Sequence, residues 1–268
     1  MVRLIIRDDD MNFFTKPEDV ERVYADFPDF PVSFAVIPTV TNVSTYGKCP
    51  ETRDNDTPRW VGDNSELIAW LKEKLSSNRA DVLMHGLTHG YKFVGNKRLP
   101  EMQWREEGNL SDEIAEYKKK LSLALDYDIS VFVAPSNIIS KYGLDCAVKN
   151  GMNFSGIIPV DYQRQVTPRN IQNYLKRWYY RLVFRLPYPD AMQYSDHKEL
   201  NACLAPSFEY LVKMYHFCER LNSPMAINTH YWHLRDDEKD RNVLFRFIDY
   251  ALRHGAEPSR MSDILKEQ

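Results

Sequence analysis

Six short β-branched and apolar runs, set between segments with helical stripes, constrain this chain most. They cover residues 4–7, 32–37, 81–84, 131–134, 155–158 and 224–228. Several are apolar at consecutive positions, the pattern of strands covered on both faces. Strands alternating with helices build a parallel sheet with the helices packed outside it. Leu67, Ile68, Leu71 and Leu75 form one stripe after Ser65, and Ile114, Tyr117 and Leu121 form another after Ser111-Asp112-Glu113. Thr15-Lys16-Pro17-Glu18 reads as a capping box with proline in the first turn. Phe208, Leu211, Val212 and Tyr215 mark a later helix, and Val243, Leu244, Phe247, Ile248 and Ala251 the next. Ser262-Asp263 is placed to cap a short final one.

The 268 residues suffice to bury a large core without disulfide staples. Cys49, Cys146, Cys203 and Cys218 are scattered with no CxxC spacing, as expected of free thiols in a reducing compartment. A net charge of −3 gives no electrostatic basis for nucleic-acid binding. The apolar run at the N-terminus is broken by Arg7, too short for a secretory segment, and no run is long enough to span a membrane. The expectation is a soluble, cytoplasmic protein. No internal repeat or low-complexity linker divides it, so 1–268 is read as a single domain. Two stretches break the pattern: a polar one at 41–63, and an irregular insert at about 162–201.

Chemistry concentrates at the ends of the strand runs. Arg7-Asp8-Asp9-Asp10 follows the first run, and His85-Gly86-Leu87-Thr88-His89 follows the third. Histidines at i and i+4 are expected on one face of a helical turn, close enough to share a metal ion. Of Asp8 and Asp9, one can bind the metal while the other faces substrate. Mixed nitrogen and oxygen ligation suits one divalent ion, zinc first, with cobalt, nickel, iron or manganese in its place. His230, after the last apolar run, is expected to serve as a general acid, with His233 as the lesser candidate. Trp60, Trp104 and Trp232 are either rim aromatics or walls of a sugar cleft.

At these residues the chain resembles the polysaccharide deacetylases of the NodB-homology type, carbohydrate esterase family 4, in a divergent form. Ile6-Arg7-Asp8-Asp9-Asp10 is similar to the family's Thr-Phe-Asp-Asp-Gly motif. By that match Asp8 is the general base and Asp9 a metal ligand. His85-Gly86-Leu87-Thr88-His89 is similar to His-Ser/Thr-x-x-His, which makes both histidines ligands. Val133-Ala134-Pro135-Ser136-Asn137 loosely resembles Arg-Pro-Pro-Tyr but lacks its arginine, which in the family orients the catalytic aspartate. Asp161 is the best match to the fourth motif. Ile227-Asn228-Thr229-His230 resembles Leu-x-Leu-His and gives His230 as the acid.

The resemblance implies a distorted (β/α) barrel of about seven parallel strands. It also implies a metal-dependent hydrolase that removes an acetyl or formyl group from an amino sugar, either small or lipid-linked, in surface polysaccharide synthesis. The competing readings are another amidase on the same scaffold and a catalytically inactive carbohydrate-binding module. Within the insert, residues 174–188 interleave Lys176, Arg177, Arg181 and Arg185 with aromatics. They read either as an amphipathic helix packed on the barrel or as a peripheral contact with phosphates or a bilayer.

Overall fold

Parallel strand pairing organises the computed structural model, which describes residues 1–41, 43, 45–46, 48–52, 57–105, 108–157 and 164–267. The strands that carry the curl are β1 (Arg3–Met11), β2 (Val32–Val36), β3 (Ala80–His85), β4 (Val131–Val133), β5 (Asn153–Ser155), β6 (Lys198–Glu199) and β7 (Met225–Thr229). β7, β1, β2, β3, β4 and β5 pair in that order, all parallel. β6 continues from β5 through Glu199 opposite Phe154. The chain beyond it bridges Ala202 to Ile157 and Cys203 to Ile227. The Cys203 N–H donates to Ala226 O, and the Asn228 N–H to Cys203 O, each at 2.8 Å. The sheet thus curls until its two ends meet, the barrel expected from the sequence.

Strand parity sorts the side chains. Ile5, Ala35, Leu83, Val131, Val133, Ala202 and Ala226 form a core inside the curl. Leu4, Ile6, Phe34, Met84 and Phe132 face the other way, into the larger core under the helices. Burying side chains of this size stabilises the fold by about 1.5–3 kcal/mol each. α9 (Met261–Lys266) inserts Met261, Ile264 and Leu265 into the inner core. Its Ser262 N–H donates to Asp81 near the start of β3, and its Met261 N–H to Ser33 on β2, each at 2.9 Å. That end of the barrel is plugged, so side chains converge in a cleft at the other, where strands finish.

The surrounding helices are α1 (Pro17–Val23), α2 (Ser65–Ser76), α3 (Leu110–Leu125), α4 (Lys141–Lys149), α5 (Pro168–Val183), α6 (Phe208–Leu221), α7 (Tyr231–Asp236) and α8 (Glu238–Arg253). None is long and apolar enough to cross a membrane. Some start signals act differently from their sequence reading. α1 has Lys16 at its N-cap with no side-chain cap. Thr15 instead accepts the Asn12 N–H and bonds the Tyr231 hydroxyl, tying α1 to α7. α3 starts at Leu110 behind Asn109, one residue ahead of Ser111. All four cysteines are free and buried. The insert holds α5 and a short hairpin, Met192–Gln193 against β6; Asp161 lies outside the described residues.

Candidate metal and catalytic site

Three residues converge where β1 and β3 end. Asp10 Oδ1 lies 3.2 Å from His85 Nε2 and 3.2 Å from His89 Nε2. The donor atoms of all three fall within 4.8 Å of one another, and all three side chains are buried. The carboxylate in this set is Asp10, where the sequence reading placed Asp9. The cause is a break in β1: its register with β2 shifts between Asp8 and Met11. Asp10 adopts φ 73° there, a left-handed conformation that aspartate tolerates better than most residues. Alternation stops at that point, and Asp9 and Asp10 both line the cleft.

Asp9 belongs to the inner face of β1, with Ile5 and Arg7. Arg7 is fully buried and grips it with two bonds, Nε to Oδ1 at 2.9 Å and Nη2 to Oδ2 at 2.8 Å. Such bidentate, charge-assisted pairs fix a carboxylate in orientation. Asn228 Nδ2 donates to Asp9 Oδ2 at 2.7 Å. Arg7 is itself held by Ser155 Oγ and Asn137 Oδ1, each at 2.9 Å. Arg7 thus stands two residues before the aspartate it holds, on the same face of β1.

Asp8 has the opposite parity and points out of the barrel. It is fully buried between α1 and α7, bonded by the Tyr24 hydroxyl and, at 2.8 Å, the Tyr231 N–H. Burial pushes its carboxyl up to about 8. It does not line the cleft, so it is out of reach as a base there.

The two histidines do not lie on a helical turn. His85 ends β3, and a loop with Gly86 at φ 61° and His89 at φ 56° brings the second ring back. A Cβ on Gly86 would fall 2.3 Å from Pro135 Cγ, so glycine is needed for space as well as for φ. The loop is wrapped around Glu101, fully buried. Its carboxylate accepts the N–H groups of Leu87, Thr88 and His89 and the Thr88 hydroxyl at 2.8–3.1 Å. Nothing in the His-Gly-Leu-Thr-His spacing announces that partner, twelve residues beyond His89.

His85 Nδ1 lies 3.2 Å from the Val133 carbonyl. Donation there leaves Nε2 of a neutral imidazole as an acceptor facing a carboxylate oxygen. Two acceptors at 3.2 Å need a proton or a cation between them. A carbonyl behind a ligating histidine is the usual support of a metal site. The donor set, two imidazoles and one carboxylate, thus fits a divalent metal ion. Burial opposes the charge on Asp10, but His89 and His85 more than offset it and hold its carboxyl well below the usual range.

His230 follows β7, with Nε2 3.7 Å from Asp10 Oδ2, and lines the cleft. Burial lowers its pKa despite the nearby aspartates. Trp232 Nε1 donates to the same Asp10 oxygen at 3.3 Å. His233 is engaged elsewhere, between Lys48 and Asp240. The cleft has a volume of about 380 Å³, and its walls include Tyr46, Tyr91, Arg98, Ser136, Asn137 and Trp232. Ser136 and Asn137 both adopt positive φ, 55° and 56°, backbone strain of the kind that clusters at functional sites. Of the three expected sugar-cleft tryptophans, Trp232 lines it. Trp60 packs near Tyr117, and Trp104 sits beneath Lys92 and Arg105.

No family model matches the sequence, and no curated protein matches it. Solved structures do match. One is a Mycobacterium smegmatis protein assigned as a polysaccharide deacetylase: TM-score 0.54, 10% identity, covering 99% of this chain and 90% of that one. A 4-alpha-glucanotransferase from Thermococcus litoralis superposes at 0.58 and 9% identity, over 100% of this chain and 40% of that one. A family 4 pseudoenzyme from Bacillus anthracis superposes at 0.44 and 13% identity, over 99% of this chain and 66% of that one. At these identities the likeness is one of fold.

Proposed function

We propose that this chain, which has the fold of the family 4 polysaccharide deacetylases in divergent form, is a metal-dependent hydrolase that removes an acetyl or formyl group from an amino sugar. The observation that carries the proposal is the Asp10–His85–His89 donor set in a cleft where Asp9 is held ready by Arg7. In this reading Asp10, His85 and His89 hold the ion. A bound ion would polarise an acyl carbonyl and lower the pKa of a water molecule.

The chain's own groups supply the rest. Asp9 accepts the proton of the attacking water, and the Arg7 and Asn228 bonds keep its carboxylate aimed while it does so. His230 delivers a proton to the departing nitrogen, which leaves as the free amine. Tyr46, Tyr91 and Trp232 contribute aromatic rings to the cleft wall against which a sugar can pack. The inactive-module reading drew on the missing third-motif arginine; the Arg7 clamp on Asp9 supports the enzyme reading against it.

Elemental analysis of purified wild-type protein, Asp9→Asn and Asp10→Asn, with assay of acid released from N-acetyl and N-formyl sugars, tests the proposal. About one transition-metal ion per chain is expected in wild type and Asp9→Asn, and loss of it in Asp10→Asn. Acid release is expected from wild type alone. Metal lost in Asp9→Asn but kept in Asp10→Asn would overturn the assignment of ligands. No metal in any of them, with no acid released, would overturn the function.

A further inference from the structure

α5 is turned the wrong way round for a surface helix. Such a helix normally buries its apolar stripe and shows its polar face to water. Here the inward face is largely polar. Asn173 donates to Gln193 O at 2.8 Å, Arg177 to Glu199 at 2.8 Å, and Asn170 accepts the Ser195 N–H at 3.2 Å. The outward face carries Ile171, Leu175, Tyr179 and Leu182, spaced four, four and three residues apart, with Leu175 60% and Leu182 70% exposed. Val183 and Phe184 extend the exposed apolar surface at the helix end. A contiguous apolar surface of this kind marks an interaction site.

Charge selects the partner. Residues 164–189 contain no aspartate or glutamate but six lysines and arginines, in a chain whose net charge is −3. Arg169, Arg181 and Arg185 are exposed, and among the described residues no carboxylate pairs with them. By helical spacing, Arg169 and Arg181 flank the apolar stripe on either side. A second copy of this chain, meeting the stripe about a two-fold axis, would bring these cations together with no acid on α5 to pair with them. An apolar stripe flanked by arginines, with tyrosine and tryptophan on the same helix, has the features of a helix lying in a lipid interface.

We propose that α5 docks the protein peripherally on an anionic membrane surface, with the apolar stripe in the acyl boundary and Arg169, Arg181 and Arg185 on lipid phosphates. The proposal rests on α5 and its flanks and is independent of the reading of the cleft.

Co-sedimentation of the full chain with vesicles of phosphatidylcholine, with and without phosphatidylglycerol, tests it. Binding is expected to be at least about tenfold tighter on the anionic vesicles and to weaken as salt rises. Leu175→Glu combined with Leu182→Glu should abolish it. Leu123→Glu, on the exposed face of α3, should leave it unchanged. Absence of pelleting, or equal pelleting of wild type and the Leu175→Glu, Leu182→Glu variant, would overturn the proposal. So would a dimer in light scattering that the same variant dissolves, since a second copy would then cover the stripe. An acidic protein partner would show as wild type that ignores both vesicles.

Discussion

Glu199 and Asp10 are both buried carboxylates facing several basic groups, and they teach opposite lessons. Glu199 accepts from Arg164 and Arg177, and His197 sets its Nε2 against it at 2.9 Å while its Nδ1 meets Asp196. Burial opposes its ionisation, but Arg164 and Arg177 more than offset this and hold its carboxyl well below the usual range. Asp10 instead faces two imidazoles, one of which has its other nitrogen beside a carbonyl, while the buried His89 Nδ1 has no side-chain or main-chain hydrogen-bond partner of standard geometry among the described residues. The first cluster holds its own cations, Arg164 and Arg177. The second is completed by a cation and opens into a cleft. Burial and charge are common to both, so what separates a structural ion cluster from a reactive one is the hydrogen-bonding balance.

The largest effect is expected in the cleft. Asp9→Asn keeps the shape of the side chain and removes its basicity. It is expected to lower kcat by about 10³-fold, about 4 kcal/mol of transition-state stabilisation, read by acid release under saturating substrate. Asp8→Asn is the control from the opposite face of β1. An amide there can still accept the Tyr231 N–H and meet the Tyr24 hydroxyl, so kcat should stay within about threefold. Equal losses in both variants would remove the distinction drawn from parity.

The Glu199 cluster should respond in stability and not in activity. Glu199→Ala removes the buried carboxylate that Arg164 and Arg177 share, a loss of about 3 kcal/mol in urea unfolding, with metal content unchanged. A fall in metal content at preserved stability would contradict the division. The smaller effect is its pH dependence. A carboxyl whose folded pKa is depressed contributes its full stability above the unfolded value, and loses it as pH falls toward the folded one. The stability gap between wild type and Glu199→Gln should therefore be widest near neutrality and shrink below about pH 4.5. A gap that widened on acidification would mean the pair is not ionised as described.

How far the sequence reading reached follows from the same physics. Five of its strand runs coincide closely with β1, β2, β3, β4 and β7, because β-branched runs bounded by turn residues are a local signal; of the run at 155–158, Ser155 belongs to β5, Ile157 bridges Ala202, and Ile158 lies outside the described residues. β6 was not legible: Lys198–Glu199 is short and charged, and its pairing is set by β5. Both histidines were legible as a pair, but not the loop that joins them, because Glu101 and Pro135 shape it from elsewhere in the chain. The choice among three consecutive aspartates was the least legible step. Leu4, Ile5 and Ile6 are all apolar, so the run hides which face is the barrel interior. Arg7 held the available clue: an arginine among strand residues has to find a carboxylate, and the next residue of the same parity is Asp9.

That clue also gives the finest test, because it asks whether the Arg7 clamp does more than neutralise charge. Arg7→Lys keeps the cation but cannot make two parallel bonds to Asp9 while also reaching Ser155 and Asn137. If aim matters, kcat should fall by about tenfold, about 1.4 kcal/mol, while metal content and KM stay as in wild type. If only charge matters, Arg7→Lys should match wild type, and Arg7→Met alone should lose activity. The second outcome would reduce the clamp to an ion pair of the Glu199 kind that happens to sit beside a cleft. The first would make Arg7 a positioning residue, acting on the reaction through the carboxylate it holds.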